Sequence, residues 1–432
     1  MSQTFTITNL GPCSIHSPLK IQNFTSDSDR ILFHSRLDAY EGIKDTGSTP
    51  LSLEPAGPRE KIYFEPATTK AAIVTCGGLC PGINDVIRSI TMTLYHRYSV
   101  GNILGIKYGL RGLNPAFGYK PLHLTPDSVK DIKHIGGSIL SSSRGPQEPS
   151  VMVDYLDKQK INMLFCVGGD GTMRAAETIS REAVARNVKI SVVGIPKTID
   201  NDLNLIEKSF GFDTAIEKTV EALRSAHVEA KGAYNGIGLV KIMGRLSGYI
   251  AATAAMAQGD VNFVLIPEVP FDLDGDNGFL KSLEKRMQAR GHAVILVAEG
   301  AGQELMQKDA EKQKTDASGN VRLHDIGLFL KNAIEKHFQT ISQEINLKYI
   351  EPSYLIRSVP ANASDSIYCS SLGQYSVHAA MAGKTGLLVA LRKEDYVHLP
   401  LSAVISGRRI DPQGNVWLRV LESTGQLAEM RN

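Results

Sequence analysis

Met163-Leu-Phe-Cys-Val-Gly-Gly-Asp-Gly-Thr172 holds the pattern on which the whole chain is built. An apolar run of strand length stops at a glycine pair, a carboxylate follows, and a hydroxyl opens the amphipathic stretch 172–187. The run does not alternate polar with apolar, as expected for a strand that helices cover on both faces. Strand, glycine turn and helix in that order predict a parallel α/β fold.

From about residue 70 the order recurs. Apolar runs lie at Ala71 to Thr75, Ile103 to Ile106, Met163 to Val167, Ile190 to Ile195, Ile237 to Ile242, Phe263 to Ile266, Val294 to Ala298 and Leu387 to Leu391. Helical segments are expected at 83–97, 172–187, 212–230, 247–257, 277–290, 324–339 and 364–382. Irregular spacing and long middle insertions fit two open doubly wound sheets better than one closed barrel. Three stretches break the rhythm. Residues 1–69, rich in Ser, Thr, Pro and charge, are expected to form an arm laid over the body. Met306 to Arg322 is expected as an exposed loop, and the alternation from Val416 to Val420 as an edge strand.

The 432 residues carry 47 Lys+Arg against 45 Asp+Glu, a net charge of +2. No global field recruits nucleic acid or an acidic membrane, so an anion must be caught locally. No apolar run approaches the roughly 18 residues a bilayer demands, and the first residues lack the basic-then-apolar order of a secretory signal. The expected setting is cytoplasmic. The five cysteines have no zinc-ligand spacing and read as reduced thiols. Cys76 has no cation beside it in sequence to lower its pKa and reads as a packing residue.

In open α/β sheets ligands lie beyond the carboxyl ends of the strands, so the loops after the apolar runs are the places to search. Thr75-Cys-Gly-Gly-Leu-Cys-Pro-Gly-Ile-Asn84 offers glycines and a helix N-terminus to a phosphate, although such a turn also serves packing alone. In Gly168-Gly-Asp-Gly-Thr172 glycines flank a carboxylate suited to a phosphate-bound Mg²⁺, which takes few protein oxygens. Gly194-Ile-Pro-Lys-Thr-Ile-Asp-Asn-Asp202 places a cation, a hydroxyl and two carboxylates on one loop, where Asn-Asp by itself is common turn chemistry.

These two motifs, followed in order by Met243-Gly-Arg245 and Ala298-Glu-Gly300, resemble the 6-phosphofructokinase family over about residues 70 to 400. The sub-pattern, with Lys348-Tyr-Ile-Glu-Pro-Ser-Tyr-Leu-Ile-Arg357, resembles its ATP-dependent members from trypanosomes and plants. Gly-Gly-Asp-Gly-Thr alone also occurs in diacylglycerol and NAD kinases. The resemblance implies two Rossmann-like domains of the phosphofructokinase fold. Residues 70–211 plus 362–404 would bind nucleotide and 212–361 fructose 6-phosphate, with extensions at 1–69 and 405–432.

The same resemblance implies the chemistry. ATP would phosphorylate the 1-hydroxyl of fructose 6-phosphate, with Asp200 as base, Thr198 and Asp202 supporting it, Lys197 beside them and Mg²⁺ on Asp170. Gly77, Arg144, Gly145, Gly169, Asp170, Gly171 and Thr172 would hold ATP. The sugar phosphate would meet Thr198, Ile199, Asp200, Met243, Gly244, Arg245, Glu299, Lys348, Tyr354, Leu355, Ile356 and Arg357. In bacterial members arginines of a neighbouring subunit complete this pocket. Here Lys348 and Gly236 stand at those positions, so a homodimer or homotetramer with an altered cross-subunit grip is implied.

The donor is read from two markers that disagree. Pyrophosphate-using members tend to carry Asp where this chain has Gly171, and Lys where it has Lys197. Glycine leaves the path of an α-phosphate open and an ammonium neutralises either donor, so ATP is expected and pyrophosphate is the alternative. A lipid or NAD kinase would not require the Thr198 to Asp202 loop, and a non-catalytic regulatory subunit would not need Asp170, Asp200 and Asp202 together.

Overall fold

A computed structural model of the chain describes residues 5–45, 49–306, 321–405 and 407–432. Two compact units emerge, one of residues 1–198, 203–211 and 359–407, the other of 199–202, 212–358 and 408–432. In chain order the strands of the two main sheets are β1 (Ile31–Leu32), β2 (Ser52–Pro55), β3 (Lys70–Thr75), β4 (Asn102–Ile106), β5 (Leu122–His123), β6 (Met163–Gly168), β7 (Ser191–Pro196), β8 (Gly236–Ile242), β9 (Phe263–Leu265), β10 (His292–Ala298), β11 (Asn346–Ile350), β12 (Leu387–Arg392) and β13 (Asp395–Pro400). The principal helices are α1 (Ile83–Met92), α2 (Pro149–Lys158), α3 (Asp170–Ala185), α4 (Phe212–Gly232), α5 (Tyr249–Gln258), α6 (Phe279–Arg290), α7 (Ile326–Thr340), α8 (Ser353–Arg357), α9 (Ala363–Met381) and α10 (Asn415–Thr424).

The first unit holds a nine-stranded sheet in the order β1-β2-β13-β12-β7-β6-β3-β4-β5. Its centre, β12-β7-β6-β3-β4, is parallel. The edges are antiparallel, and on one side the N-terminal arm supplies them through β2 and β1. The central strands β6 and β7 are buried along their whole length, which explains their unbroken apolar sequence. Helix α3 turns Met173, Ala176, Ile179 and Ala183 inward, at the spacing of one helical face. Burying Met173 or Ile179 alone contributes about 1.5–3 kcal/mol.

The second unit holds a parallel four-stranded sheet, β9-β10-β8-β11. Its core joins Ile237, Leu239, Ile295 and Val297 to Phe279, Leu283, Leu330 and Phe338 of the helices. The C-terminal segment differs from expectation, because Val416 to Val420 lies in helix α10 and adds no strand. Trp417 and Val420 are its buried residues while Leu418 is 51% exposed. An inward-facing pair three residues apart is a helical spacing, and Gly425 at φ +67° closes the helix. Most of the loop expected over Met306 to Arg322 lies outside the described residues.

Candidate active site

Strands β3, β6 and β7 are neighbours, and their registers align their carboxyl ends. Thr75 pairs with Val167 and Gly168 with Pro196. The three loops singled out in the sequence therefore leave one edge of one sheet side by side.

In the first loop Gly77 sits at φ +83° and Gly82 at φ +98°, conformations that favour glycine. A Cβ on Gly82 would also meet Cys369 Sγ at 2.6 Å. A serine run flanks this loop. Ser142 Oγ donates to the Gly77 carbonyl at 2.5 Å, and Thr75 Oγ1 donates to the Ser141 carbonyl at 2.8 Å. Sequence reasoning stopped at the exposed Arg144 and at Gly145, which takes φ +98°. The three hydroxyls directly before them were the available signal. Cys76 is buried, and burial pushes its thiol up to about 11, which keeps it protonated as a packing residue should be.

In the second loop Gly169 caps α3 and Asp170 opens it. The Asp170 side chain is 35% exposed and is ion-paired to Arg174, one helical turn on, with Arg174 Nε 3.3 Å from Oδ1. A Cβ on Gly171 would meet no atom of the described residues within 4 Å, whereas one on Gly168 would lie 2.1 Å from Thr172 Oγ1. The buried Thr172 side chain thus folds back over Gly168 and is held against the turn.

In the third loop the Lys197 ammonium, on a buried residue, donates to the Gly78 carbonyl at 2.8 Å. Ser209 Oγ donates to the Thr198 carbonyl at 2.5 Å. Asp200 and Asp202 are half-buried and Ile199 is buried. Asn201 between the two carboxylates takes φ +52°, a left-handed turn that asparagine tolerates. Arg408 N fixes the Asp202 carbonyl at 2.6 Å.

In the second unit the loops after the neighbouring strands β8 and β10 clasp through their glycines. Gly300 N donates to the Gly244 carbonyl at 3.0 Å, and a Cβ on Gly300 would lie 1.9 Å from the Arg245 carbonyl. This brings Met243, Gly244, Arg245 and Glu299 together. Arg245 Nη2 is shielded from solvent and has no hydrogen-bond partner among the described residues, an arrangement that suits an anion. Arg357 Nε lies 3.0 Å from Met243 Sδ.

Other residues sit less centrally. Tyr354 and Leu355 are 83% and 73% exposed, while Ile356 is fully buried and has only its backbone to offer. Lys348 is exposed in the middle of β11, opposite Gly238 and short of the strand's carboxyl end. Gly236 packs against the α4 backbone, where a Cβ would lie 2.0 Å from the Ala230 carbonyl.

Residues 70–380 match the family model described as phosphofructokinase. The chain is 50% identical to "ATP-dependent 6-phosphofructokinase" of Borreliella burgdorferi over 99% of this chain and 98% of that protein. It is 43% identical to the protein of the same name in Trypanosoma brucei brucei, over 94% and 83% of the two chains. Among solved structures, a pyrophosphate-dependent phosphofructokinase from Marinobacter aquaeolei shares the fold with a TM-score of 0.67 at 21% identity, covering 82% of this chain and 91% of that one. Matching motifs, matching fold and relatives aligned over nearly the full length lead to one conclusion: the chain belongs to the phosphofructokinase family.

Proposed function

We propose that the chain carries out its reaction, transfer of the terminal phosphoryl group of ATP to the 1-hydroxyl of fructose 6-phosphate, with Asp200 as the base that takes the hydroxyl proton. Thr198 and Asp202 orient that carboxylate, and Lys197 neutralises phosphate charge from the same loop. Gly77, Arg144, Gly145 and Gly169 to Thr172 receive the nucleotide. Met243 to Arg245, Glu299 and Arg357 receive the sugar phosphate. Phosphoryl transfer asks the protein for alignment and charge neutralisation rather than covalent chemistry.

Asp170 is the residue that would hold Mg²⁺. Its carboxylate opens α3 beside the unfilled space at Gly171. Among the described residues no group of three or more His, Cys, Asp or Glu is placed to cage a metal. The donor set therefore fits a hard cation that brings phosphate and water oxygens with it. When bound, Mg²⁺ neutralises the charge on the phosphates. Arg174 meanwhile orients the carboxylate along the helix.

The observation that carries this reading is the in-register exit of the three loops from β3, β6 and β7. No helix among the described residues is long and apolar enough to cross a membrane, and a cytoplasmic homodimer or homotetramer is the form proposed. The test is a coupled assay of the purified protein with fructose 6-phosphate and Mg²⁺, once with ATP and once with pyrophosphate. Turnover with ATP supports the reading. Turnover with pyrophosphate alone would overturn the donor, and turnover with neither would overturn the reaction.

A further inference from the structure

Lys241 is an unusual residue for its position. It lies in β8 between two parallel neighbours, 7% exposed, and Ile237, Leu239, Val240 and Ile242 around it are fully buried. An ammonium in such a place costs several kcal/mol unless it is paired. A methionine would fill the same volume without that cost, so packing alone does not call for a lysine.

Two carboxylates meet the ammonium. Nζ lies 2.9 Å from Asp325 Oδ1 and 3.0 Å from Glu351 Oε1. Burial acts to lower the pKa of this lysine, and the hydrogen bonds to Asp325 and Glu351 outweigh it and hold the group above the usual range. Asp325 has a second task, since its Oδ1 accepts from Gly327 N and Leu328 N, both at 3.1 Å, and caps α7. Glu351 caps no helix among the described residues. Its other oxygen accepts from Tyr349 OH at 3.1 Å, and two residues later the chain enters α8.

Helix α8 has five residues and buries one side chain, Ile356. So short a helix has little apolar contact to fix its rotation. Its last residue, Arg357, reaches Met243 Sδ at 3.0 Å, and Met243 stands two residues beyond Lys241 on the same chain segment. Lys241, Glu351, Arg357 and Met243 thus close a ring in which the Lys241 to Glu351 contact carries the tie between β8 and β11, last paired at Val240 and Ile350, one residue further toward the start of α8.

We propose that Lys241 is a positioning residue for fructose 6-phosphate, which through Glu351 holds α8 so that Arg357 faces the Met243 to Arg245 turn. The proposal rests on the assignment of Arg357 and that turn to the sugar phosphate. It concerns binding of the acceptor and leaves the donor side alone.

The experiment is steady-state kinetics on the full chain for Glu351→Ala, Lys241→Met, Lys241→Arg and, as reference, Arg357→Ala. Glu351→Ala cuts the link while Lys241 keeps Asp325. It should raise the KM for fructose 6-phosphate about tenfold, with the KM for ATP within about twofold and kcat reduced less than about threefold. Lys241→Met should act in the same direction and more strongly, because two carboxylates then face each other unneutralised, and Lys241→Arg should restore most of the loss. If Lys241→Met does not fold, Glu351→Ala decides alone. An unchanged sugar-phosphate KM in Glu351→Ala, with a raised one in Arg357→Ala, overturns the positioning role and leaves the site assignment standing. An unchanged KM in Arg357→Ala overturns the site assignment and the proposal with it. A parallel shift of both KM values overturns the proposal in favour of a purely structural role.

Discussion

The Lys197 ammonium donates to the Gly78 carbonyl at 2.8 Å, so the loop after β7 is tied to the loop after β3 by a charged hydrogen bond. A backbone carbonyl that accepts an ammonium is fixed in direction, and the N–H groups that follow it are fixed as well. The lysine thus orders the glycine turn on which the nucleotide is proposed to rest, besides supplying positive charge.

Lys197→Met removes that tie and keeps the length of the stem. A hydrogen bond to a charged group contributes about 1.5–3 kcal/mol, so kcat/KM for ATP should fall roughly tenfold to a hundredfold. Steady-state kinetics with varied ATP provide the check. An unaltered kcat/KM would mean that the turn is ordered without the lysine.

Asp200→Ser should lower turnover by about two to four orders of magnitude, the usual worth of a positioned base, while the KM for fructose 6-phosphate stays within about threefold. The loop that presents Asp200 is held at its two ends, by Ser209 Oγ on the Thr198 carbonyl and by Arg408 N on the Asp202 carbonyl. The substitution should therefore leave its course intact. Lost affinity with preserved turnover would assign Asp200 to binding.

Acid stability follows from groups far from this chemistry. His378 Nδ1 lies 2.8 Å from Tyr98 OH. Burial, helped by the nearby Arg59, Arg97 and His398, pushes its pKa down from 6.5 to about 4. The unfolded chain takes up this proton below pH 6.5 and the folded chain does not until about pH 4, so stability is lost as pH falls through that window, by up to about 3 kcal/mol. His398, also lowered by burial, acts with the same sign. Glu54 accepts from Lys384 at 2.7 Å, Arg59 at 2.8 Å and His398 at 3.0 Å. Burial would raise its pKa, yet His398 and Lys384 bring it from 4.5 to about 2. Its contribution is complete above pH 4.5 and is lost between there and pH 2. Melting temperatures should thus fall in two stages on acidification, and His378→Asn should flatten the first. An unchanged slope between pH 6.5 and 4 in that variant would remove His378 from the account.

The sequence made the central strands legible because burial on both faces demands unbroken apolar runs, as in Met163 to Val167, which forms all but the last residue of β6. The loops could be found for the same reason, since each begins where such a run ends. Local pattern failed where a distant partner decides. His398 is fully buried in β13 because Glu54, 344 positions away, accepts from it. Lys241 sits in an apolar run because Asp325 and Glu351 meet it. At Val416 to Val420 the alternation was misleading, since only Trp417 and Val420 find a core. Helix α2 lies outside the expected helical segments, although Pro149 stands at its first turn, a recognised start signal.

The donor preference is proposed to rest on one small residue. A Cβ on Gly171 would meet none of the described residues within 4 Å, so there is room there for the longer polyphosphate proposed as donor, and Gly171→Asp would place a carboxylate in it. Two unit charges about 4 Å apart repel by roughly 4 kcal/mol at an effective dielectric of about 20, equal to about a thousandfold in affinity before salt softens it. The variant should therefore lose most of its ATP turnover. Pyrophosphate carries no α-phosphate into that space, and Lys197 remains to neutralise it, so weak pyrophosphate activity is expected in Gly171→Asp and should vanish in Gly171→Asp/Lys197→Gly. The measurement is kcat/KM for both donors across the wild type and the two variants. Gly171→Asp with ATP turnover within about threefold of wild type would show that the open space at Gly171 does not set the donor.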